Sequence, residues 1–319
     1  MKRSFLSKPL TVAVCLVLAL FVLSGCQRPP PDPPPPPVAG DPPPPAEEQR
    51  HLRVAGKFHT EAQLTSEVIA QLLEHAGFTV ERNFGMDSAL AFEAVRSGEA
   101  DLYPDYTGTM LMAYLRQEIL PGTTQEETLL QAQEGALEEF NLIMLGSWGF
   151  NNTYHNAVRW EFAEEHGLVT TSDLIPFAPY MVYGAEHAFF DRMDGFYNMV
   201  AMYGLEFGST VSIDVGLKRL SIETGEIDIT NVYTTDGWLQ EVDLVILEDD
   251  LNFFPTYNAA VVIRADVLER FPELTALFAP LEGIASEADM RHFNHLIDSG
   301  QMDLRAAGTA FLRHFNLIP

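Results

Sequence analysis

Apolar positions along this chain fall into short blocks with two alternating periods. Leu52-Arg53-Val54-Ala55-Gly56 is a brief apolar run of the kind that makes a buried strand. Leu64, Val68, Ile69, Leu72 and Leu73 then recur at helical spacing until Gly77 stops the helix, and Thr60 with Gln63 predicts a capping box at its start. Residues 78–84 alternate as a second strand, 89–96 form a helix ended by Gly98, and 100–103 read as a third strand. Thr124 with Glu127 opens a helix through Phe140, followed by a strand at 142–145. Further strands are expected at 180–183, 227–229, 244–247 and 259–263, between helical stretches. This alternation predicts an α/β protein with mostly parallel sheets, and the strands are too many for one sheet, so two lobes are expected.

An internal echo supports the two lobes. Gly98-Glu99-Ala100-Asp101-Leu102 leads to Tyr106-Thr107, and Gly225-Glu226-Ile227-Asp228-Ile229 leads to Tyr233-Thr234 at a constant offset. Each copy reads as a helix stop, a short strand and a tyrosine in the loop beyond. Ligands of open α/β sheets sit past the carboxyl ends of strands, so both tyrosines are expected at a cleft.

The N-terminus carries an address. Lys2, Arg3 and Lys8 precede an apolar run from Leu10 to Leu23 that is short for a membrane span and suits a secretory leader. Leu23-Ser24-Gly25-Cys26 reads as a lipobox, which predicts cleavage of residues 1–25 and acylation of Cys26. Acyl chains on one cysteine would hold the mature protein to a membrane it does not span. Twelve of the 21 prolines lie between Pro29 and Pro45, so residues 26–50 are expected to be an extended tether.

Composition removes several functions. The formal net charge is −26, and three basic residues leave with the leader, so binding to a phosphate backbone is excluded. With only Cys15 and Cys26 in the chain, neither a disulfide framework nor a cysteine metal site is expected in the folded part. No Gly-x-Ser-x-Gly elbow, His-Glu-x-x-His motif or dinucleotide fingerprint occurs, and Lys57 and Lys218 lie outside any phosphate loop. His292 and His295 share a helical face but lack further ligands in reach. No catalytic residue, metal or cofactor is expected, and the chain does not read as an enzyme.

Four ordered segments resemble one family. Gly56-Lys57-Phe58-His59-Thr60-Glu61, Tyr103-Pro104-Asp105-Tyr106-Thr107-Gly108-Thr109 and Asn151-Asn152-Thr153-Tyr154 are the first three. Tyr233-Thr234-Thr235-Asp236-Gly237 with Asp249-Asp250-Leu251-Asn252-Phe253-Phe254-Pro255-Thr256-Tyr257 forms the fourth. Together they resemble the glycine betaine, carnitine and choline binding proteins of osmoprotectant ABC transporters, over about residues 51–319. The resemblance implies a two-lobed periplasmic-binding-protein fold of type II with the ligand cleft between the lobes. It also implies a lipoprotein facing the periplasm or cell exterior, delivering a quaternary amine to separate ABC permease and ATPase subunits.

A trimethylammonium group has charge but no N–H, so aromatic faces are what can hold it. By the resemblance, Tyr106, Tyr154, Tyr233 and Tyr257 form the cage, and Lys57, Thr109 and Arg192 meet a ligand carboxylate. Glycine betaine is therefore favoured over choline or carnitine. In this reading residues 51–151 with 258–319 make the first lobe and 152–257 the second, hinged near 151–154 and 254–258. Ala62 and His59 depart from the family pattern in the first motif. The alternative function is a sensory lipoprotein in osmotic signalling.

Overall fold

The computed structural model describes residues 50–120 and 122–319; the leader, Cys26 and the proline tract lie outside them. Its ten strands form two five-stranded sheets. The first holds β1 (His51–Lys57), β2 (Thr79–Met86), β3 (Leu102–Tyr106), β4 (Leu142–Asn151) and β10 (Asn258–Arg264), in the order β2-β1-β3-β10-β4. The second holds β5 (Tyr154–Arg159), β6 (Val182–Ala185), β7 (Ser209–Ser212), β8 (Ile229–Tyr233) and β9 (Leu244–Ile246), in the order β7-β6-β8-β5-β9. The architecture is α/β and two-lobed.

Both sheets are mixed, which corrects the expectation of mostly parallel ones. β1 runs parallel to β2 and β3, while β10 is antiparallel to both β3 and β4. β6 runs parallel to β7 and β8, while β5 is antiparallel to both β8 and β9. Each sheet thus has four strands in one direction and one reversed. The reversed strand is the one on which the chain arrives from the other sheet, entering from the opposite end. Helical crossovers, which enforce parallel neighbours, do not operate at those two entries.

β10 shows how the first core is built. Its residues alternate between two apolar layers: Ala259, Val261 and Ile263 join one, and Ala260 and Val262 the other. α1 (Thr60–His75) and the helices Glu287–Asp298 and Leu304–His314 cover the first face. α2 (Ser88–Ser97) and the helix Gln125–Phe140 cover the second. With both faces buried, β10 reads as a continuous apolar run. Tyr154, Val158, Tyr183 and Ile229 gather with Phe189, Phe196 and Met199 in the core of the second sheet.

The cap of α1 differs from the sequence pattern. His59, not Thr60, is the N-cap, its ring nitrogen accepting from the Ala62 N–H, and Thr60 is the first helical residue. The Thr60 hydroxyl instead donates to Asp298 at 2.6 Å, and Gln63 reaches the Phe58 carbonyl. The Thr124–Glu127 capping box is present as expected. No helix among the described residues is long and apolar enough to cross a membrane.

Candidate ligand-binding site

The chain leaves the first sheet at Asn151, enters the second at Tyr154, and returns just before Asn258. The two passages run side by side and are bonded together. Asn152 N–H donates to the Tyr257 carbonyl at 3.0 Å, Tyr257 N–H to Asn151 Oδ1 at 2.7 Å, and the Thr153 hydroxyl to the Pro255 carbonyl at 2.8 Å. Tyr154 and Tyr257 are therefore fixed where the chain crosses between sheets.

Strand register adds Tyr233. In the antiparallel β5–β8 ladder Tyr154 lies directly opposite Tyr233, which brings side chains on one face into contact. Their ring centroids are 4.6 Å apart and their hydroxyls 2.8 Å apart. Tyr257 meets Tyr154 edge-on at 6.4 Å. Phe189 and Phe254 back the Tyr154 ring at 5.0 and 6.0 Å. Tyr106 and Tyr233, expected in loops, are instead the last residues of β3 and β8. The echo persists in the backbone, since Gly98 and Gly225 both stop helical segments with positive φ.

Tyr106 lies opposite Ala259 of β10, and Gly108, two residues past it, lies against Tyr257. A Cβ at Gly108 would stand 2.7 Å from both the Tyr257 ring and the Thr256 carbonyl, so only glycine lets that ring pack over the turn. Thr109 ends the same short turn and is half-buried. The hydroxyls of Tyr106, Tyr154, Tyr233 and Tyr257 all have pKa values raised by burial, so they stay neutral.

Of the three expected carboxylate donors, the two charged ones, Lys57 and Arg192, are already ion-paired. Lys57, 2% exposed, bonds Asp105, which also takes the Tyr103 hydroxyl and the Tyr106 N–H. The Lys57 ammonium stands 5.2 Å from the centre of the Tyr106 ring. Arg192 grips Asp194 through Nε at 2.8 Å and Nη2 at 2.7 Å. Nη2 also donates to the Tyr257 hydroxyl at 2.9 Å, and that hydroxyl donates to Asp194. The guanidinium lies 5.6 Å from the Tyr154 ring centre and 5.9 Å from that of Tyr257. Its Nη1 makes no hydrogen bond among the described residues, and the side chain is 37% exposed.

Tyr154, Tyr233, Tyr257 and Arg192 thus come together as one group, and Tyr106 with Lys57 as a second beside it. Glu61 and Asn152, which the sequence did not single out as site residues, link the two. The Tyr106 hydroxyl donates to Glu61 at 2.6 Å and Asn152 Nδ2 donates to it at 2.7 Å. Asp105 is another residue sequence reasoning missed, and Asp194, open to it only as a surface partner of Arg192, is paired with that residue but buried. In a chain with 45 acids, residue type alone could not mark them; only their places in or beside the motifs could. His59 stacks on Tyr106 at 6.0 Å, and burial, then the charge of Lys57, lowers its pKa to about 3, so it adds no charge. Among the described residues no cluster of metal-ligating side chains occurs.

A family model for the substrate-binding domain of the ABC-type glycine betaine transport system matches residues 50–314. An ergothioneine transport permease/ergothioneine binding protein from Helicobacter pylori is 32% identical over 84% of this chain, which spans 48% of that protein's length. A glycine-betaine-binding protein from Pseudomonas aeruginosa is 32% identical, covering 84% of this chain and 88% of its own. A solved glycine betaine/carnitine/choline ABC transporter structure superposes with a TM-score of 0.76 at 26% identity, over 83% of this chain and 99% of its own.

Proposed function

The chain belongs to the family of substrate-binding domains of ABC-type glycine betaine transport systems, and on that premise we propose that it captures a quaternary ammonium compound between its lobes. The observation that carries the reading is the meeting of Tyr154, Tyr233 and Tyr257 where the chain crosses between sheets, with Tyr106 alongside. Ring faces held this way can bind a charged group that offers no hydrogen-bond donor, each contributing ~0.5–2 kcal/mol when desolvated. Hinging at 151–154 and 254–258, residues 152–257 close as one lobe on residues 51–151 and 258–319.

Glycine betaine is the favoured ligand, with Arg192 meeting its carboxylate through Nη1 and Thr109 adding a hydroxyl. Lys57 has less to offer, because it would have to leave Asp105. The chain then delivers its ligand to separate ABC permease and ATPase subunits, held to a membrane by acylated Cys26 on the outer face. Calorimetry of the full-length chain against glycine betaine, choline, carnitine, ergothioneine and proline is the test. A trimethylammonium compound should bind best, and tighter binding of proline than of every such compound refutes the reading.

A further inference from the structure

Six carboxylates are buried among the described residues: Glu61, Glu67, Asp101, Asp105, Glu186 and Asp194. Five of them have a cation, namely Arg82, Arg53, Lys57, Lys218 and Arg192 for the last five in that order. Glu61 is the exception. It is 3% exposed, and its hydrogen-bond donors are all neutral: the Tyr106 hydroxyl, Asn152 Nδ2, and Asn294 Nδ2 at 3.1 Å, with the neutral Thr235 side chain also favouring its charged form. An ionised carboxylate buried without an opposite charge costs several kcal/mol, so a fold that places one leaves a charge to be balanced.

The donors show where that balance lies. Tyr106 is itself a cage residue, and Asn152 stands two residues before Tyr154. Asn294 also donates to the carbonyl of Thr235, two residues past Tyr233, at 2.9 Å. The carboxylate therefore sits behind the point where three cage-bearing segments converge. We infer that Glu61 is the fixed counter-charge to the ligand's quaternary ammonium, a specificity-determining residue that acts on the cage through Tyr106. A phenol that donates to an anion gains electron density on its ring, and the face it turns to a cation becomes more attractive. Where water is excluded, the carboxylate's own field also reaches the ammonium with little screening. This inference rests on the proposed quaternary-amine site and deepens it.

The ionisable groups around Glu61 come from each neighbouring segment. They are Tyr106, the Lys57–Asp105 pair beside that ring, His59 stacked on it, Asp236 beyond Thr235, and Arg291, which donates to the Thr234 carbonyl at 2.6 Å. Burial pushes the Glu61 pKa up, against Thr235, Tyr106, Asn152 and Asn294, which favour the charged form. Acidification thus removes the counter-charge before it protonates ordinary surface carboxylates.

The experiment pairs each charged probe with its uncharged-head isostere, using the full-length chain. Glycine betaine is set against 3,3-dimethylbutanoate, and choline against 3,3-dimethylbutan-1-ol. Glu61→Gln keeps the shape and one acceptor while removing the charge. It should weaken the quaternary ammonium probes about tenfold and their isosteres less than twofold. Affinity of the parent for the charged probes should fall on acidification, and that of Glu61→Gln should stay flat. Equal losses for both members of a pair, or parent-like affinity for the charged ones, overturn the assignment. Should Glu61→Gln not fold, Tyr106→Phe cuts the link and must shrink the preference for the charged member; an unchanged preference overturns it equally. A parent that binds no quaternary ammonium compound removes the site's reading itself, a separate outcome.

Discussion

Lys57→Met decides between two roles for the same side chain. The family resemblance assigns Lys57 to the ligand's carboxylate, whereas the ion pair assigns it to Asp105. Both partners are almost fully buried, Lys57 at 2% and Asp105 at 0% exposure. Removing the cation strands a carboxylate whose remaining donors are the Tyr103 hydroxyl and the Tyr106 N–H, at 2.8 Å for the latter. Breaking one side of a buried pair costs about 3–5 kcal/mol, which in a protein of this size lowers the melting temperature by roughly 6–20 °C. Asp105→Asn placed in the same chain removes the stranded charge but keeps an acceptor for Tyr103 and Tyr106. The double variant should therefore recover most of the loss, the signature of a strongly coupled pair. Thermal unfolding of the full-length parent, both single variants and the double variant gives the cycle directly. Because the Tyr106 ring lies beside the ammonium, Lys57→Met should also weaken glycine betaine and choline alike. The reasoning is refuted by a Lys57→Met protein that melts with the parent and loses glycine betaine while keeping choline.

Three further outcomes follow from other parts of the molecule. A Cβ at Gly237 would stand 2.4 Å from the His295 backbone nitrogen, so Gly237→Val should hold the segment after Tyr233 off the helix Glu287–Asp298; X-ray scattering should show a more open particle and calorimetry at least tenfold weaker binding. Burial raises the pKa of Asp236 from 3.8 to about 6, so its protonated form favours folding, and that contribution is lost as pH rises from about 4 through 6; Asp236→Asn should melt higher than the parent at pH 7, with the difference vanishing near pH 3.5. Cys26→Ser should release the protein from membranes or leave the precursor uncleaved, and unchanged fractionation with an unchanged mature mass would falsify the anchor.

How much of this could be read from the chain depended on whether a residue's partners were local. α1 was legible because its apolar positions repeat within one element, and the Thr124–Glu127 cap because both members lie in one turn. The start of α1 was misread for the same reason: Thr60 finds Asp298 across the fold, and His59 takes the cap instead. β5 and β7 were missed. β5 carries His155 and Asn156, and buried Asn156 finds its partners far along the chain, accepting from the Tyr183 hydroxyl at 2.8 Å and donating to Thr171 and Met199. β7 is exposed throughout and offers no apolar alternation. The tyrosines stood out through the echo and the motifs, but their hydroxyls' partners did not. Glu61, Asp105 and Asp194 are each defined by a contact that closes a loop between distant segments or turns back on a neighbour, and an acidic chain gives no compositional hint of them. Those contacts also change what the tyrosines are expected to do. Ring faces alone would make every Tyr→Phe replacement mild. Here the Tyr257 hydroxyl bridges Arg192 and Asp194, and hydrogen bonds to charged groups contribute about 1.5–3 kcal/mol. Tyr257→Phe should therefore cost more than Tyr233→Phe, whose hydroxyl among the described residues meets only that of Tyr154. Calorimetry that ranked the two the other way would show that Arg192 is not held for the ligand by Tyr257.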